Sequence, residues 1–402
     1  MYFFKRDNIN KIKKRMIKKE NSGEVGEDLG NIQTGLSPII KWTGGKEKEL
    51  KYIIPNLPKF GRFFEPFVGG GSVFMGIKSK EYHINDYSSE LMELYKNISE
   101  SDEKFFHYAE EIDRTWENAS KFFLSSPELV DKYKDYRQGK MSKDELQEYI
   151  ETFCASKEGK ILDMIGGELS GGGILGEVKV NLFRKMTRMR DLDIERHELS
   201  EKDLIKNMET AIKSAVYMNY RNMYNDKEIW SNNDKLHCAL FLFIRNYAYS
   251  GMFRYSGKGE FNVPYGGITY NGKSMSKKLS YYRSESLLNH FGRTKIYNMD
   301  FEEFLRKTQP KEDDFVFLDP PYDSKFSTYA QNTFTKEDQE RLAGLMIKEC
   351  RAKWMMIIKN TEFIYNLYNK DGINIRRFDK EYMVNFMNRN DKKVTHLLIT
   401  NY

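Results

Sequence analysis

The residues 319–322, Asp319-Pro320-Pro321-Tyr322, combine an acid, two prolines and an aromatic ring directly after the apolar run Phe315–Leu318. This pattern predicts a buried strand that ends in a rigid turn. Prolines fix their own φ angles and lack amide donors, so carbonyl oxygens near the strand end stay free to accept. A carboxylate beside such carbonyls forms an acceptor-only cradle for a planar amino group, and Tyr322 can stack on the ring that carries the amine. The alternative is a strand ending in a turn with a solvated aspartate.

A glycine-rich turn follows a second apolar run, in the residues 63–74, Phe63-Phe64-Glu65-Pro66-Phe67-Val68-Gly69-Gly70-Gly71-Ser72-Val73-Phe74. The order predicts a strand, a turn and the start of a helix. Glycines allow a ligand to approach the backbone at the carboxyl edge of a sheet, where open α/β sheets bind ligands. The spacing differs from the dinucleotide-binding GxGxxG pattern, because Phe74 stands at the third position.

Two shorter motifs flank this turn. The residues 82–86, Tyr82-His83-Ile84-Asn85-Asp86, predict a second strand whose terminal acid can bind ribose hydroxyls. The residues 41–46, Lys41-Trp42-Thr43-Gly44-Gly45-Lys46, place an aromatic ring and a lysine on another glycine turn. Each motif alone is often a structural turn, but their order along the chain indicates one shared site.

The order of these motifs resembles the Dam-type DNA adenine methyltransferases, which belong to the alpha group of amino methyltransferases with a DPPY motif. The family pattern runs KWxGGK, FxEPFxGxGSVF, an IND-like acid and DPPY, and the likeness covers roughly residues 37–110 and 215–402. The resemblance implies an α/β fold, with a Rossmann-like sheet of the S-adenosylmethionine-dependent methyltransferases. It also implies a mainly helical target-recognition domain that contains a β-hairpin.

The resemblance implies S-adenosyl-L-methionine as the methyl donor, S-adenosyl-L-homocysteine as the product, and no metal. The implied cofactor-binding residues are Trp42, Lys46, Glu65, Pro66, Phe67, Gly69, Gly71, Ser72, Asp86, Asp300, Phe301 and Asp319. The implied catalytic residues are Asp319, Pro320, Pro321 and Tyr322. In this reading an adenine is swung out of the duplex, Tyr322 stacks on it, and Asp319 with the Pro320 carbonyl accepts its two amino protons.

Residues 236–266 carry the prediction about the substrate. Aromatic residues alternate there with arginines and glycines, which predicts a hairpin-like projection that stacks on bases and presents a guanidinium to guanine. By the resemblance, the residues that contact double-stranded DNA are Lys41, Tyr249, Ser250, Met252, Arg254 and Pro264, and the expected target is GATC. Ser250 stands where the family pattern has asparagine. The alternative is an aromatic-rich surface loop.

Length and composition agree with a two-part enzyme. The chain has 402 residues, of which 40% are hydrophobic and 31% are charged, and its net charge is +6. No apolar run approaches the roughly 20 residues of a membrane span, so we expect a cytoplasmic protein that contacts no membrane. The three scattered cysteines, Cys154, Cys238 and Cys350, indicate a reducing compartment, and their spacing predicts no metal site.

The predicted organisation has four segments. Residues 1–36 form a basic, flexible extension, and residues 37–112 form the first part of the catalytic domain. Residues 113–290 form the target-recognition domain, with a charged helical insertion at about 120–212 that lacks a counterpart in the family pattern. Residues 291–402 complete the catalytic domain. A glycine-rich stretch at 171–176 matches GxGxxG formally, but it follows no clear strand and predicts a loop.

Three other functions remain open from the sequence. A methyltransferase acting on a cytosine amino group, or on RNA, uses a similar acceptor cradle, although serine is usual at the first motif position of cytosine enzymes. A glutamine-methylating enzyme of release factors normally carries asparagine there. A non-catalytic DNA-binding relative would be expected to have lost the acid or the cofactor turn. A cognate restriction endonuclease of the same system, acting without direct binding, is a further possible partner.

Overall fold

A computed structural model describes residues 34–42, 44–166, 169, 173–196, 198–321, 334–381 and 393–402. This part of the chain contains one sheet with seven strands: β1 Arg62–Glu65, β2 Glu81–Asn85, β3 Thr294–Tyr297, β4 Phe315–Leu318, β5 Lys353–Lys359, β6 Asn374–Glu381 and β7 Lys393–Thr400. The strand order is β3-β2-β1-β4-β5-β7-β6. The first five strands in this order pair in parallel, and β7 is antiparallel to both β5 and β6.

The strand order reverses between β1 and β4, which pair in the register Phe63 with Phe315 and Phe64 with Val316. In open α/β sheets such a reversal opens a crevice at the carboxyl ends of the two strands, because their connections leave toward opposite faces. The glycine turn follows β1 and Asp319 follows β4. The topology therefore brings the two most informative sequence motifs to one crevice.

Each face of the sheet packs on its own apolar core. All four residues of β4 are buried, with Phe315 and Phe317 in one core and Val316 and Leu318 in the other. This alternation follows from the period of two along a strand. Because both faces are covered, the strand is apolar throughout, as parallel central strands usually are.

The helices of the described chain are α1 Leu50–Ile53, α2 Ser72–Gly76, α3 Ser89–Ser99, α4 Glu103–Leu124, α5 Glu128–Arg137, α6 Lys143–Ser156, α7 Glu158–Ile165, α8 Ile174–Glu195, α9 Glu201–Asn225, α10 Lys227–Asn232, α11 Asp234–Tyr247, α12 Ser276–Tyr282, α13 Glu285–Phe291, α14 Phe301–Thr308, α15 Lys336–Gly344 and α16 Glu362–Tyr368. Short 3-10 turns cover Ile54–Asn56, Tyr249–Gly251 and Ile268–Tyr270, and a π-helical turn covers Leu345–Glu349. None of the described helices is long and apolar enough to cross a membrane.

The helices α4 to α13 form a layer that is inserted between β2 and β3, two neighbouring strands of the sheet. Within this layer α9 packs against α8, α4 and α11. The helix α4 begins at an aspartate cap, since Asp102 accepts a hydrogen bond from the Phe105 amide at 2.9 Å. Its buried stripe includes Trp116, whose ring lies 4.4 Å from that of Tyr247. This contact joins α4 to the end of α11. The residues that follow, 248–266, belong to the part predicted to contact DNA, and we call them the recognition segment.

The predicted fold class is confirmed by this sheet, and the stretch at about 120–212 is helical where it is described. The boundary expected between residues 112 and 113 falls inside α4, so the helix continues across it. The expected β-hairpin stays a prediction, because the segment folds back through two isolated antiparallel bridges, Ala248 with Tyr265 and Tyr255 with Phe261. Residues 1–33, most of the stretch at 167–172 and the predicted catalytic Tyr322 lie outside the described residues.

Candidate active site

Lys46 and Asp319 form an ion pair between the turn before α1 and the carboxyl end of β4. The Lys46 ammonium also donates to the Gly44 carbonyl at 2.8 Å. The Lys46 side chain is 2% exposed, whereas that of Asp319 is 18% exposed. The lysine is therefore enclosed behind the carboxylate, and the carboxylate itself remains accessible from the crevice.

Glu65, the last residue of β1, lies beneath the glycine turn. Its Oε2 accepts a hydrogen bond from the Phe74 amide at 3.0 Å, which satisfies a donor in the first turn of α2. The side chain is 2% exposed, and burial raises its pKa well above the ordinary glutamate value, with the nearby Asp319 charge adding to the effect. The proton-bearing form is thus favoured next to Asp319.

Asp86 follows β2 and closes the glycine turn from the other side. Its Oδ2 accepts from the Gly69 amide and its Oδ1 accepts from the Ser88 amide, both at 3.0 Å. Burial raises its pKa, and these hydrogen bonds oppose the rise. Asp86, the acid predicted at the end of β2, therefore holds the glycine turn through its own hydrogen bond to Gly69.

Asn85 is a buried contact of the crevice to which the sequence reasoning assigned no role. Its Nδ2 donates to the carbonyls of Pro66 and Met299, and its Oδ1 accepts from the Met299 amide, each at 3.0 Å. The residue is 1% exposed. One buried amide thereby ties the ends of β1, β2 and β3 together. A polar residue at the end of an otherwise buried strand is the signal that would have indicated it.

The glycine turn packs directly on the segment that carries Trp42. A Cβ atom at Gly69 would lie 2.9 Å from Trp42 Cδ1, and one at Gly70 would lie 2.4 Å from the Ile40 carbonyl oxygen. Gly71 adopts a φ of +81°, which favours glycine. The turn thus needs glycine for close approach and for backbone conformation, while buried Ser72 begins α2.

Three phenylalanine rings line the opposite side of the crevice. The rings of Phe67, Phe301 and Phe334 lie 5.6 to 5.7 Å apart in all three pairs. Asp300 caps α14 by accepting from the Glu302 amide at 2.9 Å, and it also pairs with Arg341 at 2.9 Å. Asp300 and Phe301 were both predicted to contact the cofactor. In the structure Phe301 belongs to the apolar ring cluster, whereas the Asp300 carboxylate makes structural contacts.

A glutamine binds the backbone of the turn that follows β4. Gln339 in α15 is fully buried and donates from Nε2 to the Pro321 carbonyl at 2.9 Å. Its Oε1 has no hydrogen-bond partner among the described residues. Pro320 is buried and Pro321 is exposed, so the turn leaves the sheet between the two prolines.

The recognition segment begins with a tight turn after α11. Tyr249 is 48% exposed, and its amide donates to the Pro264 carbonyl at 2.9 Å. Ser250 adopts a φ of +53°, in the left-handed region that few residues other than glycine and asparagine favour. Exposed Lys41 lies beside this turn, since a Cβ atom at Gly251 would be 4.0 Å from its Cδ.

The far part of the segment is anchored to α9. Tyr217 donates to the Val263 carbonyl at 2.9 Å, and the Asn225 side chain exchanges two hydrogen bonds with the Phe261 backbone, at 2.8 and 3.0 Å. Arg254 is exposed and donates from Nε to the Asn262 Oδ1 at 2.9 Å. Pro264 is exposed and Met252 is half-buried. The scaffold thereby fixes the backbone and leaves the Arg254 guanidinium at the surface.

The structure separates the predicted residues into two groups. The residues proposed for the cofactor, together with Asp319, Pro320 and Pro321, gather around the carboxyl ends of β1, β2 and β4. Five of the six residues proposed for DNA lie on the turn after α11 and the segment that follows it, and Lys41 lies beside that turn. Arg245 joins the groups, because it stacks 4.7 Å from the Trp42 ring and donates to the Lys41 carbonyl at 2.7 Å.

Comparison with known proteins gives a consistent picture. A type II methyltransferase of Lactococcus lactis subsp. cremoris is 24% identical over 93% of this chain and 98% of its own length. A type II methyltransferase of Paramecium bursaria Chlorella virus is 33% identical over 46% of this chain and 69% of its own length. A DNA adenine methylase of Escherichia coli is 24% identical over 76% of this chain and 74% of its own length.

The sequence profile of the D12 class N6 adenine-specific DNA methyltransferases matches residues 42–158 and 180–386. The expectation that the stretch at about 120–212 lacks a family counterpart is wrong for most of its length, because the match leaves only 159–179 uncovered in its middle. The match covers both the crevice and the recognition segment, including the acid after β4. The chain therefore belongs to the D12 class of N6 adenine-specific DNA methyltransferases, and it is a site-specific, adenine-specific DNA methyltransferase.

Proposed function

We propose that this enzyme transfers a methyl group from S-adenosyl-L-methionine to the exocyclic amino nitrogen of an adenine that has been swung out of double-stranded DNA, at the sequence GATC. The observation that carries the proposal is the position of Asp319. Its accessible carboxylate lies at the end of β4, next to the buried Pro320 and opposite the glycine turn after β1.

The chemistry of the crevice suits the proposed donor. Asp319 contributes to the raised pKa values of both Glu65 and Asp86, so three acids lie close enough to repel one another, with Lys46 as the paired cation. Lys46 offsets the charge of one carboxylate and Glu65 favours its protonated form, so the remaining negative charge favours a ligand with a net positive charge. S-adenosyl-L-methionine is such a ligand, because its ammonium and sulfonium outweigh its single carboxylate. When bound, this donor supplies an electrophilic methyl group. The half-buried Phe67 ring, which packs on buried Phe301, offers an apolar surface for a purine.

The residues of the chain then act mainly by position and charge. Asp319 and the Pro320 carbonyl accept hydrogen bonds from the two amino N–H groups of the base and orient its nitrogen for in-line attack on the methyl carbon. The C–N bond forms as the C–S bond of the donor breaks, and one amino proton is released after the transfer. No group that abstracts a proton before transfer is required in this scheme. The extrusion of the base costs a few kcal/mol. Contacts between the recognition segment and the DNA offset this cost.

The proposed target rests on the recognition segment. The exposed Arg254 guanidinium is suited to the two acceptors on the major-groove edge of guanine, and half-exposed Tyr249 is suited to stacking in the gap that a flipped base leaves. The anchoring of Val263 and Phe261 to α9 keeps this surface rigid. Rigid presentation lowers the entropy cost of base-specific contacts.

The proposal is tested with Asp319→Ala and the matched control Asp313→Ala, an exposed aspartate just before β4. We expect the first variant to lose methyl transfer to a GATC duplex while it still binds that duplex, and the control to resemble the parent enzyme. Duplexes with 2-aminopurine in place of the target adenine report base extrusion by fluorescence. Equal loss of binding and transfer in Asp319→Ala would argue against the assigned role.

The target and the donor have separate tests. DNA from a methylation-free host that expresses the enzyme is digested with nucleases sensitive to adenine methylation at GATC. Resistance of the DNA to cleavage supports GATC as the target sequence. Complete cleavage would exclude GATC as the target, but it would not contradict the proposed methyl transfer. Binding of S-adenosyl-L-methionine by calorimetry, with ATP as a comparison ligand, checks the donor.

A further inference from the structure

Three lysines lie in a row beside the recognition turn, and we call Lys41, Lys273 and Lys278 the lysine row. Lys273, on the loop before α12, donates to the Asn246 carbonyl at 3.2 Å. Lys278, in the first turn of α12, donates to the Ile39 carbonyl at 3.3 Å. The row therefore connects α12 with the residues before Trp42 and with the end of α11.

The lysine row is crowded with positive charge and has no acidic partner among the described residues. None of the ion pairs within the described part of the chain involves any of the three lysines. Burial, followed by the charges of Lys273 and Arg245, lowers the pKa of Lys278 to about 8. Burial, followed by the charge of Lys41, lowers the pKa of Lys273. Such crowding destabilises the free protein and is relieved by an anion.

The position of the loop that carries Lys273 is fixed by several contacts. Tyr247 donates to the Lys273 carbonyl at 3.2 Å, and the neighbouring Ser274 and Met275 bind the Asp113 carboxylate at 2.8 and 2.7 Å. The Lys273 ammonium also lies 3.4 Å from the centre of the Tyr270 ring. A rigid loop that keeps like charges together is better explained by a bound anion than by the packing of solvated side chains.

The anion that fits this place is a phosphate of the nucleic acid backbone. Lys41 lies against the turn Tyr249–Gly251, so the two remaining lysines flank the surface proposed to face the bases. A duplex presents phosphates along each strand next to the base edges, and lysine contacts phosphate as a point charge. We propose that Lys273 and Lys278 bind a backbone phosphate of the DNA, adjacent to the base pairs that contact the recognition turn. This inference rests on the proposed function, since it assumes that this turn faces the duplex.

The test uses Lys273→Met and Lys278→Met, which remove the charge and keep the apolar stem. Lys277→Met, at an exposed neighbouring position in α12, is the matched control. Dissociation constants are measured over a range of NaCl concentrations, for a GATC duplex and for a duplex of shuffled sequence. We expect both variants to bind both duplexes several-fold more weakly, by the same factor. The slope of log affinity against log salt should fall by about 0.9 for each lost phosphate contact.

Thermal unfolding separates this role from a structural one. Because burial and neighbouring charges disfavour the charged form of Lys278, Lys278→Met should unfold at the same temperature as the parent or at a higher one. A lower unfolding temperature combined with unchanged salt slopes would show a structural role and overturn the proposal. So would loss of affinity for the GATC duplex alone, because a phosphate contact carries no sequence information.

The outcome is independent of the test of the proposed function. The salt slopes require no methyl transfer, so they report on the lysines even if Asp319→Ala retains activity. Conversely, unchanged slopes in both lysine variants would overturn this inference and leave the role of Asp319 intact.

Discussion

Asn85 and Met299 form a reciprocal pair, in which the Asn85 side chain both donates to and accepts from the Met299 backbone at 3.0 Å. The two residues are 214 positions apart in the chain. Each directly precedes an acid proposed for the cofactor site, Asp86 after Asn85 and Asp300 after Met299. The pair therefore fixes the spacing of two segments that reach the crevice from opposite sides of the helical insertion.

We expect Asn85→Asp to weaken this connection. The new carboxylate keeps an acceptor for the Met299 amide but places a second oxygen against the carbonyls of Pro66 and Met299. Loss of buried hydrogen bonds of this kind costs about 1–3 kcal/mol each. Chemical denaturation measures the free energy of unfolding, and calorimetry measures cofactor affinity; both should fall. The exposed Asn369→Asp is the control, and equal effects of the two substitutions would contradict the prediction.

Gly70→Ala should damage the glycine turn by steric overlap. The new Cβ atom would lie 2.4 Å from the Ile40 carbonyl oxygen, closer than real contacts allow, so the segment that carries Trp42 must move. We expect a loss of cofactor affinity of at least tenfold and a destabilisation of about 1–3 kcal/mol. Gly176→Ala in α8 is the matched control, because nothing lies within 4 Å of its Cβ position. That control should stabilise the protein slightly, by up to about 1 kcal/mol.

Lys46→Met should remove the ion pair between Lys46 and Asp319. A hydrogen-bonded contact with a charged group contributes about 1.5–3 kcal/mol, and the loss falls on a carboxylate that is only 18% exposed. We expect methyl transfer and cofactor binding to fall by one to two orders of magnitude. The exposed Lys48→Met serves as the control and should leave both measurements unchanged. A variant Lys46→Met with normal activity would show that the ion pair is dispensable.

Ser250→Asn should favour the backbone of the recognition turn. Ser250 has a φ of +53°, and asparagine adopts this left-handed conformation more readily than serine does. We expect the free energy of unfolding to rise by a few tenths of a kcal/mol, within the range of single surface substitutions. If this side chain contacts the base left unpaired, the variant also binds more tightly to a duplex that lacks the target adenine. Ser256→Asn, in the same segment, provides the comparison.

Two buried histidines should make the fold sensitive to acid. Burial lowers the pKa of both His237 and His290 to about 4, compared with 6.5 in an unfolded chain. The unfolded state therefore takes up protons first, and the stability present above pH 6.5 is lost progressively as the pH falls toward 4. The loss is about 1.4 kcal/mol per histidine for each pH unit in that window. Denaturation of His290→Gln at several pH values should show a shallower decline than the parent, whereas exposed His107→Gln should not.

Much of the crevice was predictable because parallel strands place their carboxyl ends at one edge of a sheet. The positions of Glu65, Asp86 and Asp319 follow from that rule once each apolar run is read as a strand. The Asn85–Met299 pair was not predictable, since no local pattern connects residues on either side of a long insertion. The recognition segment was predicted as a hairpin from its alternating aromatic residues. The Tyr265 ring instead packs on Trp116 of α4 and Tyr217 of α9, and the segment forms only single bridges.

The insertion of the helical layer between β2 and β3 has a consequence for how such enzymes diversify. These strands are hydrogen-bonded neighbours in the register Ile84 with Ile296, so the layer leaves and rejoins the sheet at adjacent positions. Inserted units of this kind tolerate replacement when their two ends lie close together. Substitution or recombination within the layer can then leave the strand ends that carry Glu65, Asp86 and Asp319 in place.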